Sequence, residues 1–150
     1  MLKYYNYDVV FQEVPDEVTL AINLTRCPNQ CECCHSPHLR EDIGEPLNVE
    51  VLSHLLERYG RDLSCVCFMG GDSEPELVAE LARHLRCNTS LKTAWYTGKS
   101  DIPTQVDAFD YIKVGPYIPT LGGLRSKTTN QRMYKVSGRH LNDITALFWR

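Results

Sequence analysis

The 150-residue chain predicts an α/β fold built from parallel βα units, and three observations carry that reading. Short apolar runs of strand length alternate with amphipathic segments of helical length. Each apolar run ends in a loop bearing glycine, cysteine or a short polar group. Parallel neighbours need long crossovers, usually helical, so this alternation implies a parallel sheet with helices packed outside it. No internal repeat or change of composition divides the chain, which reads as a single domain over 1–150.

Val18 to Thr25 (VTLAINLT) alternates apolar and polar side chains as a half-buried strand does, and a cysteine-rich loop follows at once. From Asn48, NVEVLSHLLERYG sets Val51, Leu52, Leu55, Leu56 and Tyr59 on one helical face, with Asn48 as N-cap and Gly60 just past the end. Leu63 to Met69 (LSCVCFM) is too short for a helix and runs into Gly70, Gly71 and Asp72, which predicts a buried strand and a tight turn. Ser73 to Arg86 follows as a helix capped by Ser73, acidic in its first turn and basic in its last, in keeping with the helix dipole. Leu91 to Tyr96 and Phe109 to Val114 read as further strands. Beyond them lie the proline- and glycine-bearing stretch YIPTLGGLRSKTTNQ, a short strand near Met133 to Val136, and a helical piece from Arg139. Ligands of such sheets bind at the C-terminal ends of the strands, where these loops fall.

The composition, 43% hydrophobic and 23% charged, is that of an ordinary globular chain. A net charge of −3 offers no positive field to hold a polyanion, so nucleic acid is not an expected partner. No apolar run approaches the roughly 20 residues that span a bilayer, and MLKYYNYDVVF is too polar and aromatic for a signal peptide, so the expectation is no membrane and a cytoplasmic location.

Residues 27 to 38, CPNQCECCHSPH, hold four of the seven cysteines and two of the five histidines. A reducing compartment and an odd count argue against a disulfide framework. Zinc stays open, since His35 or His38 with three thiolates makes a Cys3His set, although a second cysteine pair at zinc-finger spacing is missing. An iron-sulfur cluster is the other option, because Cys27, Cys31 and Cys34 stand at C-x3-C-x2-C and three thiolates leave one iron of a cubane open. Cys33, beside the last of them, is expected to point elsewhere. Cys65 and Cys67 sit two apart in a strand and share a face, and with Cys87 they are expected to be structural, since free cysteine behaves as a small buried hydrophobe.

Four motifs in order carry a resemblance: CPNQCECC, FMGGD (Phe68 to Asp72), YTG (Tyr96 to Gly98) and DYIKVGPYIPTLGGLRSKTTNQRMY (Asp110 to Tyr134). Together the chain resembles the radical S-adenosylmethionine (SAM) superfamily, and within it the activating proteins of anaerobic (class III) ribonucleoside-triphosphate reductases. The resemblance implies Cys27, Cys31 and Cys34 as ligands of a 4Fe-4S cluster whose fourth iron takes SAM. It implies Gly70, Gly71 and Asp72 at the methionine end, Cys33, Cys34 and His35 beside the adenine, and Thr97 and Lys113 within reach of the pocket. With only four or five βα units the fold it implies is an incomplete, TIM-like barrel, open at the side to a polypeptide substrate.

The activity implied is that of an oxidoreductase. A one-electron donor such as flavodoxin or ferredoxin reduces the cluster, SAM is cleaved to methionine and a 5′-deoxyadenosyl radical, and that radical takes hydrogen from a glycine of the reductase large subunit, leaving a glycyl radical there. Activation of another glycyl radical enzyme, and radical chemistry on a small metabolite, are the enzymatic alternatives. A zinc-binding interaction module is the alternative without catalysis.

Overall fold

The structure, a computed structural model, describes residues 1–25 and 43–149. Its strands are β1 Lys3–Val10, β2 Thr19–Leu24, β3 Glu45–Pro46, β4 Cys65–Met69, β5 Lys92–Tyr96, β6 Tyr111–Val114, β7 Arg132–Ser137 and β8 His140–Asp143, and its α-helices are α1 Val49–Tyr59 and α2 Pro75–Asn88. All the strands join one sheet in the order β3-β1-β2-β4-β5-β6-β7-β8.

The parallel expectation holds at the centre of this sheet and fails at its flanks. β2, β4, β5 and β6 are parallel neighbours. β1 pairs antiparallel with β2, and β7 and β8 add an antiparallel hairpin beyond β6. The reason is connection length: β7 and β8 are joined across Gly138 at φ 63, a tight reversal that allows only antiparallel pairing. The helical piece expected from Arg139 is therefore strand β8, followed by a 3-10 helix over Thr145–Trp149. β1, aromatic and polar by turns, is a strand that periodicity alone did not single out.

Asn48 caps α1 as expected, its Oδ1 accepting from the Val51 N–H at 2.9 Å, and Gly60 ends it. α2 starts one residue later than the Ser73 cap implies. Pro75 takes the first turn, where its missing N–H costs nothing, and Glu74 is the N-cap.

The two faces of the sheet have different covers. Leu20, Ile22 and Leu24 of β2, Val66 and Phe68 of β4, Trp95 and Ile112 pack with Leu52 and Leu55 of α1 and with Val78, Leu81 and Leu85 of α2. Both helices therefore lie on one face. The other face carries Cys65, Cys67, Ala94, Tyr111 and Met133. It is closed by Val14 from the β1–β2 loop and by Ile144 and Phe148 near the C-terminus. Cys65 and Cys67 share this face, as their spacing requires, and both are fully buried, whereas Cys87 is exposed at the end of α2. Its position departs from the buried role expected of it, because it lies in the last turn away from the apolar stripe of α2.

Replacing Asn48 with Ala leaves the Val51 N–H without its cap and is expected to cost about 1 kcal/mol, read as a lower urea midpoint with an unchanged slope. Burial pushes the Cys65 thiol up from an ordinary 9.0 to about 12, with the Glu17 carboxylate adding to the shift. The folded state thus holds a proton that the unfolded chain releases. The contribution is complete below the ordinary thiol value and is lost as pH rises through the folded one. The stability advantage of the wild type over Cys65→Ala is expected to narrow as pH rises from 9.0 toward 12. Native-state alkylation near neutral pH should modify Cys87 long before Cys65 or Cys67, read by peptide mass spectrometry.

Candidate functional site

The register of the parallel strands brings their exits to one edge. Asn23 pairs with Met69, Met69 with Tyr96, and Tyr96 with Lys113. Thr25, Gly70, Thr97 and Gly115 therefore leave the sheet side by side, and the sequence motifs become neighbours although up to 90 residues separate them. Cys27, Cys31, Cys33, Cys34 and His35 lie outside the described residues, as does His38. What the structure describes is the stem of their loop, Leu24 and Thr25.

That stem packs against the glycine turn. Gly70 and Gly71 hold φ of 100 and 83, a conformation that L side chains rarely adopt. A Cβ on Gly71 would sit 2.6 Å from Val78 Cγ2 and 2.8 Å from Leu24 Cδ1, and one on Gly70 would sit 3.3 Å from the Leu24 carbonyl oxygen. Glycine is thus required at Gly71 by packing against the cysteine-loop stem and α2.

The turn is then fastened to β5. The Gly70 N–H donates to the Tyr96 carbonyl at 3.0 Å, and the Trp95 indole N–H donates to the Gly70 carbonyl at 2.6 Å from the helix-covered face. Asp72 is 4% exposed, and its carboxylate accepts from the Thr97 hydroxyl at 2.5 Å and from the Gly98 N–H at 2.9 Å. The Thr97 hydroxyl in turn accepts from the Lys99 N–H at 3.2 Å. Asp72, expected at the methionine end, and Thr97, expected within reach of the pocket, are brought together as a clasp between two strand exits. Sequence reasoning missed Trp95, since a tryptophan in a buried strand carries no signal beyond packing.

Lys113 projects from β6 onto the face without helices and is 9% exposed. Its ammonium donates to the Gly115 carbonyl at 2.9 Å and the Thr97 carbonyl at 3.4 Å, and lies 5.6 Å from the centre of the Tyr96 ring. The Thr-Asn-Gln step folds back onto the same exit. Gln131 Nε2 donates to the Gly115 carbonyl at 3.3 Å, Asn130 Nδ2 to the Pro116 carbonyl at 3.0 Å, and the Thr129 hydroxyl to the Gly122 carbonyl at 3.0 Å. These three side chains hold the 115–131 loop in its turn.

Beneath the exits a cleft of about 450 Å³ opens on the same face, lined among others by Glu13, Tyr96, Lys113, Tyr117 and Gln131. Glu13 comes from the β1–β2 loop, whose place is set by the Tyr96 hydroxyl donating to the Glu13 carbonyl. Burial, followed by the Cys67 thiol and the Glu13 carboxylate, pushes the Tyr96 phenol well up, so it stays a neutral donor. Among the described residues no group of three or more histidine, cysteine or acidic side chains is placed to hold a metal ion. Comparison with family models, curated proteins and solved structures finds no match to this chain.

Removing the Asp72 carboxylate leaves the Gly98 N–H and the Thr97 hydroxyl without their acceptor. Asp72→Ala is expected to lower stability by about 1–3 kcal/mol and to raise amide exchange at Gly98. Asp72→Asn, which keeps one acceptor oxygen, is expected to recover part of the loss; hydrogen exchange and thermal unfolding check both.

Proposed function

We propose that the chain is a radical SAM activase that generates a glycyl radical on the large subunit of an anaerobic ribonucleoside-triphosphate reductase. The observation that carries the reading is the contact between Leu24, at the stem of the C-x3-C-x2-C loop, and Gly71 of the FMGGD turn, at the C-terminal edge of the parallel strands. The superfamily's two most diagnostic motifs must meet there if a cluster on the loop is to share a ligand with the turn.

The donor set also suits the cofactor in kind. SAM presents a sulfonium and an ammonium cation, a carboxylate and an aromatic base. The same edge and cleft hold the carboxylates of Asp72 and Glu13, the Lys113 ammonium and the ring of Tyr96. When bound, the cluster and SAM supply one-electron cleavage of a carbon–sulfur bond and, from it, hydrogen abstraction. The chain's own part is to hold and orient. Cys27, Cys31 and Cys34 would ligate three irons, with Cys33 and His35 beside the adenine. Gly70 and Gly71 would bring main chain close to the methionine group, and the Asp72–Thr97–Gly98 clasp keeps that turn from shifting against β5. Lys113 sets a positive charge at the β6 exit.

The mixed sheet supports an incomplete barrel as the frame for this chemistry. β3 and β8 stand at its opposite ends, so it does not close, and a partner's loop has lateral access to the face without helices. We place the protein in the cytoplasm, with a flavodoxin or ferredoxin as electron donor. No helix among the described residues is long and apolar enough to cross a membrane.

Anaerobic reconstitution with iron and sulfide, followed by mixing with SAM, reductant and the reductase large subunit, tests the reading. A glycyl doublet in electron paramagnetic resonance that needs all three is expected. A colourless protein with stoichiometric zinc would show an interaction module instead. Cys27→Ala, Cys31→Ala and Cys34→Ala should each abolish SAM cleavage, while Cys33→Ala keeps most of the cluster iron; equal iron loss in all four would show a different ligand set.

A further inference from the structure

Charge is divided unevenly along the chain. Residues 111–142 hold Lys113, Arg125, Lys127, Arg132, Lys135 and Arg139 and no aspartate or glutamate, so the remainder carries all 19 acidic residues against ten basic ones. A molecule of net charge −3 thus has one strongly positive part. The sheet order gathers it at one end, where β6, β7 and β8 stand together.

Two of these cations face acids, Arg132 with Asp143 and Arg139 with Asp107, each at 3.7 Å. Arg125 and Lys127, on the loop that leaves β6, do not. The Thr129 N–H donates to the Ser126 carbonyl at 3.1 Å, closing a turn with exposed Lys127 at its corner, and the Thr128 hydroxyl holds that turn to the Leu121 carbonyl at 2.7 Å. Arg125, also exposed, donates to the neutral Gln12 side chain, so its charge is not cancelled. The Gly115 N–H donates to the Lys99 carbonyl at 2.7 Å, which sets exposed Lys99 beside the start of the same loop. Neither Lys99 nor Lys127 has an acidic partner among the described residues. Asp101 is exposed two residues after Lys99, so the positive field centres on the 115–131 loop.

That loop leaves the sheet at the edge it shares with Thr25, the stem of the cysteine loop. A one-electron donor must come to this edge and leave again, and such encounters bury little surface and are steered by charge. An exposed cationic loop on a pinned frame fits that use. We propose that the 115–131 loop, with Lys99, is the docking surface for an acidic one-electron donor protein, whose negative face meets Arg125 and Lys127. The assignment rests on the activase reading and deepens it, by separating the donor's approach at the β5 and β6 exits from the reductase's approach to the face without helices. In the transfer the donor loses one electron and the cluster gains it, with no proton or group moved.

The test uses reconstituted full-length protein as wild type, Lys99→Glu, Lys127→Glu and Arg61→Glu. Arg61 is exposed just before β4, at the opposite edge of the sheet, and gives the same change of charge. The probes are flavodoxin and ferredoxin in turn, and dithionite, a small reductant that needs no docking surface. Donor affinity is measured by anaerobic calorimetry from low to high salt, alongside SAM cleavage driven by dithionite. Both loop variants are expected to bind the donor roughly fivefold or more weakly at low salt, with a shallower salt dependence. Arg61→Glu, and dithionite-driven cleavage in every variant, should stay within twofold of wild type at an unchanged melting temperature. Wild-type affinity for both donors in the loop variants would overturn the surface and leave the activase reading standing. An equal loss in Arg61→Glu would show a response to overall charge and overturn it as well. Loss of dithionite-driven cleavage would put these lysines in the cofactor site, against the proposal. A wild type that binds the donor through Lys127 yet cleaves no SAM with dithionite would overturn the activase reading and keep the surface.

Discussion

The Asp72 carboxylate is the joint on which the candidate site depends. Paired strands end at Met69 and Tyr96, and past them the main chain ties the two loops only through the Gly70 N–H donating to the Tyr96 carbonyl. One buried carboxylate accepting from the Thr97 hydroxyl and the Gly98 N–H makes them a unit, and the Trp95–Gly70 bond fastens the same unit from the opposite face of the sheet. Charge-assisted bonds of this kind, away from water, are among the stronger side-chain contacts a protein makes. The glycine turn can therefore hold two successive positive φ values without relaxing.

From that joint follows the division of the sheet into a covered face and a working face. The helices seal one side with large aliphatic and aromatic residues, which supply most of the apolar burial. The other side is closed only in part, by Val14 and by the C-terminal turn, and the remaining surface is the groove that holds Glu13 and Lys113. Its two buried cysteines are packing residues: with thiols pushed well up by burial, neither Cys65 nor Cys67 offers a thiolate near neutral pH.

Much of the architecture was legible from residue pattern. The strand cores, the Asn48 cap and the shared face of Cys65 and Cys67 each follow from a local rule: period two, a side-chain acceptor at a helix start, alternation along a strand. Where pattern failed, the cause was non-local. β1 mixes tyrosines with polar residues without a clean period of two, and β8 is four residues long, so neither carries a strand signal of its own; each is a strand because a neighbouring edge is there to pair with. Pro75 displaced the start of α2 through a fixed φ that a capping rule centred on Ser73 did not weigh.

The sequence by itself determined which chemical groups are present and their order: the C-x3-C-x2-C loop, the paired glycines, the strand-end Lys113. Those are properties of spacing, readable along one dimension. Only the tertiary structure decided what they do to each other. Gly71 is glycine because Leu24 and Val78 occupy the space of its Cβ, Asp72 is bound to Thr97 across the strand exits, and Glu13, from a loop with no motif at all, lines the same cleft as Lys113. Such relations depend on sheet register and loop closure, which join residues through contacts made only when the whole chain has folded.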